Sequence, residues 1–250
     1  ERSISIGASI GLSSSTLGAD KVSELMRQAD IAMYAAKRSG KMRRLWFTPE
    51  MDRTQAMARA IEVRLHDALD AEEFEVHYQP IIDARTGDVA CVECLLRWDQ
   101  KGLAEIGPDR FIPVAEETGL IDRLGQFVLK RGGRDAADWS GVRLSVNVSS
   151  AQLRNPEFPG QLKAMLDQTG FPAERLELEV TETYVVLDPA MAGKVLSGIR
   201  DLGVRLALDD FGTGYASIGF LRQFAFDTLK IDKTLIGSAI HDPGARAMLH

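Results

Sequence analysis

From Phe74 onward, short apolar runs alternate with longer stretches in which apolar residues recur every three to four positions. The runs Phe74–Gln79, Val89–Trp98, Val142–Val148, Leu176–Val180, Val204–Asp209 and Asp227–Ile231 predict strands. The stretches between them predict helices near 108–117, 120–138, 150–169, 189–202 and 215–224. Strands that take turns with helices in this way predict parallel βαβ units. Earlier in the chain, residues 3–12 alternate like one strand of a hairpin. Residues 20–39 carry Val22, Leu25, Met26, Ala29, Met33 and Ala36 at helical spacing, with Asp20 placed as N-cap and Gly40 at C′. Residues 40–52 lose periodicity around Pro49 and predict a linker, and a helix over 53–70 leads into the Phe74 strand.

Oxygen-bearing side chains stand near the ends of these strands: Glu93, Asn147, Glu179 and the adjacent pair Asp209 and Asp210, followed by Lys230 on a later run. Most are separated by about the length of one strand, helix and return, and in a (β/α)8 barrel catalytic groups gather at the C-terminal strand ends. A single acid in this setting reads as a solvated loop residue, but the whole set does not. Carboxylate and amide oxygens suit hard divalent ions such as Mg²⁺ or Mn²⁺, and a carboxylate pair can hold two ions close enough to share a water. Adjacent strand residues face opposite ways unless the chain leaves strand geometry. Gly212 and Gly214, just past the aspartates, permit that departure. Asn is depleted in strands, and a lysine within Leu229–Ile231 is costly unless paired, so Asn147 and Lys230 both point to a site.

The chain has 250 residues, 45% of them hydrophobic, enough for one large or two small globular domains. No run of about 18 apolar residues predicts a membrane span, and no basic-then-apolar leader opens the sequence. The expectation is a cytoplasmic segment without membrane contact, within a parent protein that could itself be anchored. A net charge of −6, from 30 basic and 36 acidic residues, argues against a nucleic-acid polymer as partner. An anionic substrate would then need cations to draw it in. Cys91 and Cys94 form a Cys-x-x-Cys with no second pair and no nearby His, and their spacing puts them on opposite faces of a strand, which favours packing over zinc or redox work.

Several motifs fall in order along the segment from about Val63: Tyr78-Gln79-Pro80, Glu93-Cys94-Leu95-Leu96-Arg97-Trp98, Phe111-Ile112-Pro113-Val114-Ala115-Glu116, Val146-Asn147-Val148-Ser149, Glu179-Val180-Thr181-Glu182, Asp209-Asp210-Phe211-Gly212-Thr213-Gly214-Tyr215 and Leu229-Lys230-Ile231-Asp232. Together they resemble the EAL family of cyclic di-GMP phosphodiesterases, with Cys94 in the middle of the name-giving triplet. The resemblance implies an α/β fold of the (β/α)8 TIM-barrel type and hydrolysis of cyclic di-GMP to linear pGpG. It implies metal ligation by Glu93, Asn147, Glu179 and Asp209, with Asp209 bridging to a second ion that Asp210 also holds. Lys230 would contact the attacking water or the phosphate, and Lys230, Glu182 and Glu93 take catalytic roles. Glu182 would brace the loop from Asp210 to Phe220, through which family members couple homodimerisation to the site. Gln79, Arg97 and Asp232 fall to substrate binding. Read from its residue type alone, Arg97 could instead cover the sheet beside an acid, Glu182 could cap a helix starting near Asp188, and Tyr215 and Phe220 read as packing residues.

Residues 1–47 resemble the C-terminal part of a GGDEF domain, carried by Ser5-Ile6-Gly7 and by Ala29-Asp30-Ile31-Ala32-Met33-Tyr34-Ala35-Ala36-Lys37. That division makes residues 1–47 a short α+β GGDEF remnant, 48–62 a linker with a helix start, and 63–250 the EAL domain. About six barrel strands are predicted, so the EAL domain is expected to be incomplete, lacking its last two strand–helix units. Those units bring a further glutamate and a glutamine in the family, and their loss predicts weak or no turnover by the chain alone. Two other readings remain: a module that binds cyclic di-GMP without cleaving it, and a GGDEF–EAL signalling scaffold. Every metal acid that the sequence reaches is present, which favours the enzyme.

Overall fold

The computed structural model describes residues 7–17, 20–40, 42–71, 73–99, 106–181, 189–212 and 224–239. The chain divides into two compact units, Glu1–Leu65 and His66–His250.

In the first unit, β1 (Ile10–Leu12) is followed by α1 (Val22–Arg38), β2 (Arg44–Trp46) and the start of α2 (Pro49–Asp70). β1 and β2 pair in parallel, with Ile10 opposite Arg44 and Leu12 opposite Trp46. This corrects both the hairpin and the linker expected here, because a strand of three residues carries no measurable periodicity and is fixed by its distant partner. α2 starts four residues early, at Pro49, whose locked φ and missing N–H suit a first helical turn. Asp20 is not the cap of α1: the N-cap is Lys21, extended at φ −120°, and its carbonyl accepts from the amides of Glu24 and Leu25. Gly40 does take the C′ position, at φ 111°. Ile31, Ala32 and Phe47 form the core, with Met51 against it. α1 approaches β1 so closely at Gly11 that a Cβ there would lie 1.9 Å from the Ala29 carbonyl oxygen.

The second unit is built on a six-stranded sheet in sequence order, comprising β3 (Phe74–Ile82), β4 (Val89–Trp98), β5 (Arg143–Asn147), β6 (Leu176–Thr181), β7 (Arg205–Phe211) and β8 (Thr228–Ile231). β3 and β4 are antiparallel, and every later pair is parallel. The first connection is a short turn closed by the Asp83 carboxylate, which accepts from the amides of Arg85 and Thr86 at 2.8 and 3.3 Å. A link of that length cannot cross over to make a parallel pair. The helices are α3 (Pro108–Thr118), α4 (Ile121–Asp135), α5 (Ser150–Leu153), α6 (Phe158–Thr169), α7 (Pro189–Asp201) and α8 (Lys233–Ala239). This mostly parallel α/β arrangement, with strands in sequence order, is that of an incomplete (β/α)8 barrel.

The single helix expected over 150–169 is two. Pro156 has no amide to donate, and Asn155 Oδ1 accepts from the Glu157 amide at 3.0 Å, so the chain turns between α5 and α6. The helix expected near 215–224 lies outside the described residues except for Phe224.

Alternation gives the sheet two unlike faces. Leu144, Leu178, Val180, Leu206 and Leu208 are at most 2% exposed and, together with Leu124, Leu162 and Ile199 of the helices, fill the apolar layer. Each fully buried leucine contributes roughly 1.5–3 kcal/mol. Cys94 belongs to this layer: a Cβ on Gly132 of α4 would come 3.1 Å from its sulfur. Burial pushes its thiol up to about 12. Cys91 lies on the other face beside Glu177 and Arg143, so the two free thiols point apart. The opposite face of the sheet is largely polar, and it carries the site.

Candidate metal centre

On the polar face of the sheet, one polar side chain from each of β4 to β8 reaches the same place, Glu93 from the middle of β4 and the others from the C-terminal halves of their strands. Glu93 comes from β4, Asn147 from β5, Glu179 from β6, Asp209 from β7 and Lys230 from β8. Asn147 Nδ2 donates to Glu93 Oε1 at 2.9 Å, and Lys230 Nζ donates to Glu93 Oε2 at 3.2 Å. The same ammonium is bonded to Glu179 Oε2 and lies 3.5 Å from Asp209 Oδ1. Thus three carboxylates share one cation. Ser145, two residues before Asn147 and on its face, donates to Glu179 Oε1 at 2.7 Å.

Burial sets the electrostatics. The Glu179 side chain is fully shielded, and burial pushes its carboxyl above the usual range despite the bonds from Lys230 and Ser145. Burial also works against charge on Lys230, but its carboxylate partners, Glu179 foremost, outweigh it and hold the ammonium above its ordinary value. Asp210 does not continue the strand: its φ is 56°, and the pairing of β7 with β8 shifts register between Leu208 and Phe211. The departure from strand geometry expected at the aspartate pair therefore falls at Asp210 itself, with Gly212 at φ 101° behind it. Burial raises the Asp210 carboxyl, and the neighbouring charges of Asp209 and Asp232 raise it further.

The donor set is hard and carries more negative than positive charge, which fits a divalent cation. Among the described residues no three His, Cys, Asp or Glu side chains already stand as a metal shell. The Lys230 ammonium stands among these carboxylates.

With this geometry in place, the sequence profile of the EAL domain matches residues 62–250. The chain belongs to the EAL-domain family. An uncharacterized signaling protein of Caulobacter vibrioides is 42% identical over 234 residues, covering 93% of this chain and 29% of that protein. The cyclic di-GMP phosphodiesterase NbdA of Pseudomonas aeruginosa is 34% identical over 240 residues, covering 94% of this chain and 31% of NbdA. The EAL chain thus spans about a third of the length of these relatives. Among solved structures, the PaMucR phosphodiesterase in complex with c-di-GMP superposes with a TM-score of 0.70 at 32% identity, covering 76% of this chain and 78% of that one.

The remaining positions expected to act in an EAL domain are placed as follows. Gln79 sits directly across the antiparallel pair from Glu93, on the same face. Arg97, two alternations beyond Glu93, donates Nη1 to the Leu96 carbonyl at 2.9 Å and lines a cavity of about 530 Å³ that Asn147 and Thr181 also border. Asp232 stands at the start of α8 and accepts from the Thr234 amide at 2.7 Å and from the Thr234 hydroxyl, which lowers its carboxyl. Glu182, Tyr215 and Phe220 lie outside the described residues.

The sequence reading missed a second polar tier beneath the first. Glu177, 2% exposed, accepts from Thr228 Oγ1 at 2.7 Å and from Arg205 Nε at 3.4 Å, and Arg205 is its register partner on β7. The signal for this tier, and for Ser145, is the polar alternation in Arg143-Leu144-Ser145-Val146-Asn147 and in Leu176-Glu177-Leu178-Glu179-Val180. Polar residues at every second position of strands that are otherwise apolar mark a polar barrel interior.

Proposed function

We propose that this EAL domain serves a metal-dependent phosphodiesterase that hydrolyses cyclic di-GMP to linear pGpG. The observation that carries this reading is the convergence of Glu93, Glu179 and Asp209 on one cation at the polar face of the sheet, with Asn147 bonded to Glu93. The named activity of NbdA supports it.

Glu93, Asn147, Glu179 and Asp209 would hold one Mg²⁺ or Mn²⁺, and Asp209 and Asp210 would serve a second. Such ions supply a water of lowered pKa and neutralise charge on the phosphoryl oxygens. Water would add to phosphorus as the bond from phosphorus to the 3′ oxygen breaks, one water proton leaving to a site carboxylate or solvent and the 3′ oxygen taking one from solvent, so that the ring opens to a 5′-phosphate and a 3′-hydroxyl. Lys230 contributes its positive charge to the reacting phosphate. Arg97 offers a planar fork for a phosphate or a guanine edge. Gln79, Asp232 and Glu182 complete the substrate and loop contacts.

Residues 1–47 are assigned to the C-terminal part of a GGDEF domain, and the segment after Asp210 to a homodimer contact. No described helix is long and apolar enough to cross a membrane, and we place the domain in the cytoplasm.

The test is conversion of cyclic di-GMP to pGpG by the full-length protein with Mg²⁺ or Mn²⁺. Turnover is expected, and Asp209→Ala should lower it by about 10³-fold, since one carboxylate serves both ions. Tight binding without turnover in the wild type would replace the enzyme with a binding module, and an active Asp209→Ala would remove the shared role.

A further inference from the structure

We infer that Ser145 is a positioning residue that fixes Glu179 as a one-oxygen ligand and thereby sets which divalent ion the site prefers. The inference rests on the metal site of the proposed function. Ser145 is completely buried on β5, and its hydroxyl donates to Glu179 Oε1 at 2.7 Å. The other oxygen, Oε2, accepts from Lys230, whose ammonium also contacts Glu93 and Asp209. The two oxygens of Glu179 are therefore divided between two duties, one anchored to the strand and one presented to the cation position.

That division has a chemical consequence. Mg²⁺ demands near-octahedral geometry with short bonds to single oxygens, whereas Ca²⁺ takes more ligands and accepts both oxygens of a carboxylate. With Oε1 held by Ser145, Glu179 has only Oε2 to give, which suits a small ion such as Mg²⁺ or Mn²⁺ and handicaps Ca²⁺. Register makes the anchor rigid. Ser145 is paired with Glu93 across β4 and with Glu177 across β6, so its Cα is fixed from both sides. A residue that orients a ligand from behind commonly changes metal affinity 10- to 100-fold when it is lost.

The experiment measures Mn²⁺ affinity of the full-length protein from the electron paramagnetic resonance of the free ion, and Ca²⁺ affinity by competition. Ser145→Ala is expected to weaken Mn²⁺ binding by about 10-fold or more while leaving Ca²⁺ nearly unchanged, narrowing the Mn²⁺/Ca²⁺ ratio. Ser145→Thr and Ser145→Val add equal bulk and differ in the hydroxyl, so Thr should retain the ratio and Val should lose it. This pair carries the comparison if the alanine variant does not fold. Equal weakening of both ions, an Ala variant within threefold of wild type, or Thr and Val alike would overturn the inference, as would a wild type that binds no Mn²⁺. A wild type that binds Mn²⁺ without cleaving cyclic di-GMP would remove the proposed activity and leave the role of Ser145 to be decided by the same ratio.

Discussion

Asp210 occupies the left-handed region at φ 56°, a conformation that costs most L-residues about 1–2 kcal/mol and that Asp and Asn tolerate best. The chain accepts it because the alternative, an unbroken strand, would send Asp210 away from Asp209. Asp210→Asn should therefore keep stability within about 0.5 kcal/mol, since the backbone preference survives. Asp210→Val should lose about 1–2 kcal/mol for the same backbone. Urea denaturation of the two variants reads the difference, and equal midpoints would mean that the bend is not residue-driven. At this scale the site was legible because Glu93, Asn147, Glu179 and Asp209 are polar residues uncommon within or near the ends of apolar runs. Ser145 was not, because a serine in a strand has no signature until its partner, distant in sequence, is known.

Elements hold their places through a few polar latches as well as through the apolar layer. Tyr78 on β3 donates to Asp135 Oδ2 at 2.7 Å, and Arg131 of α4 donates to the same oxygen at 2.9 Å, tying the first strand to the end of α4. Burial alone would raise the Asp135 carboxyl, but the bonds from Arg131 and Tyr78 outweigh it and hold the group below its ordinary 3.8. A depressed native value means that the latch stabilises the fold above the unfolded value and loses that contribution as pH falls through the native one. Asp135→Asn should accordingly be less stable than wild type by about 1–2 kcal/mol at pH 7. The gap should close as pH falls below 3.8 and through the depressed native value, where the wild-type carboxyl protonates. Denaturant titrations at pH 7 and across that acid range check this, and a gap independent of pH would mean that the carboxylate charge plays no part. Alternation made the strands of the sheet readable from sequence, whereas β2 is too short to alternate and owes its existence to β1. The break between α5 and α6 was written in Asn155-Pro156, but the apolar periodicity on either side masked it.

For the whole molecule, the polar face of the sheet carries charge in two tiers with different balances. In the lower tier, Glu177 is matched by Arg205 at 3.4 Å and accepts from Thr228 Oγ1 at 2.7 Å, so its charge is met by the protein's own residues. In the upper tier, among the described residues, Glu93, Glu179 and Asp209 share the single ammonium of Lys230. With a net charge of −6, a protein that acts on cyclic di-GMP as proposed would have to correct the sign of that tier from outside. Divalent ions should therefore stabilise the fold through the upper tier alone. Glu177→Gln should cost about 1–3 kcal/mol by leaving Arg205 with a weaker partner, but it should keep the full rise in Tm that saturating Mn²⁺ gives the wild type. At a hundred times Kd that rise corresponds to about 2.7 kcal/mol. Asp209→Asn should show the reverse, with little loss of stability in the absence of metal, where one fewer carboxylate crowds Lys230, and little response to Mn²⁺. Thermal melts of the three proteins with Mn²⁺ and with a chelator separate the tiers. If Glu177→Gln also lost its Mn²⁺ response, the two tiers would be one coupled network, and the lower one would have to be counted as part of the metal centre.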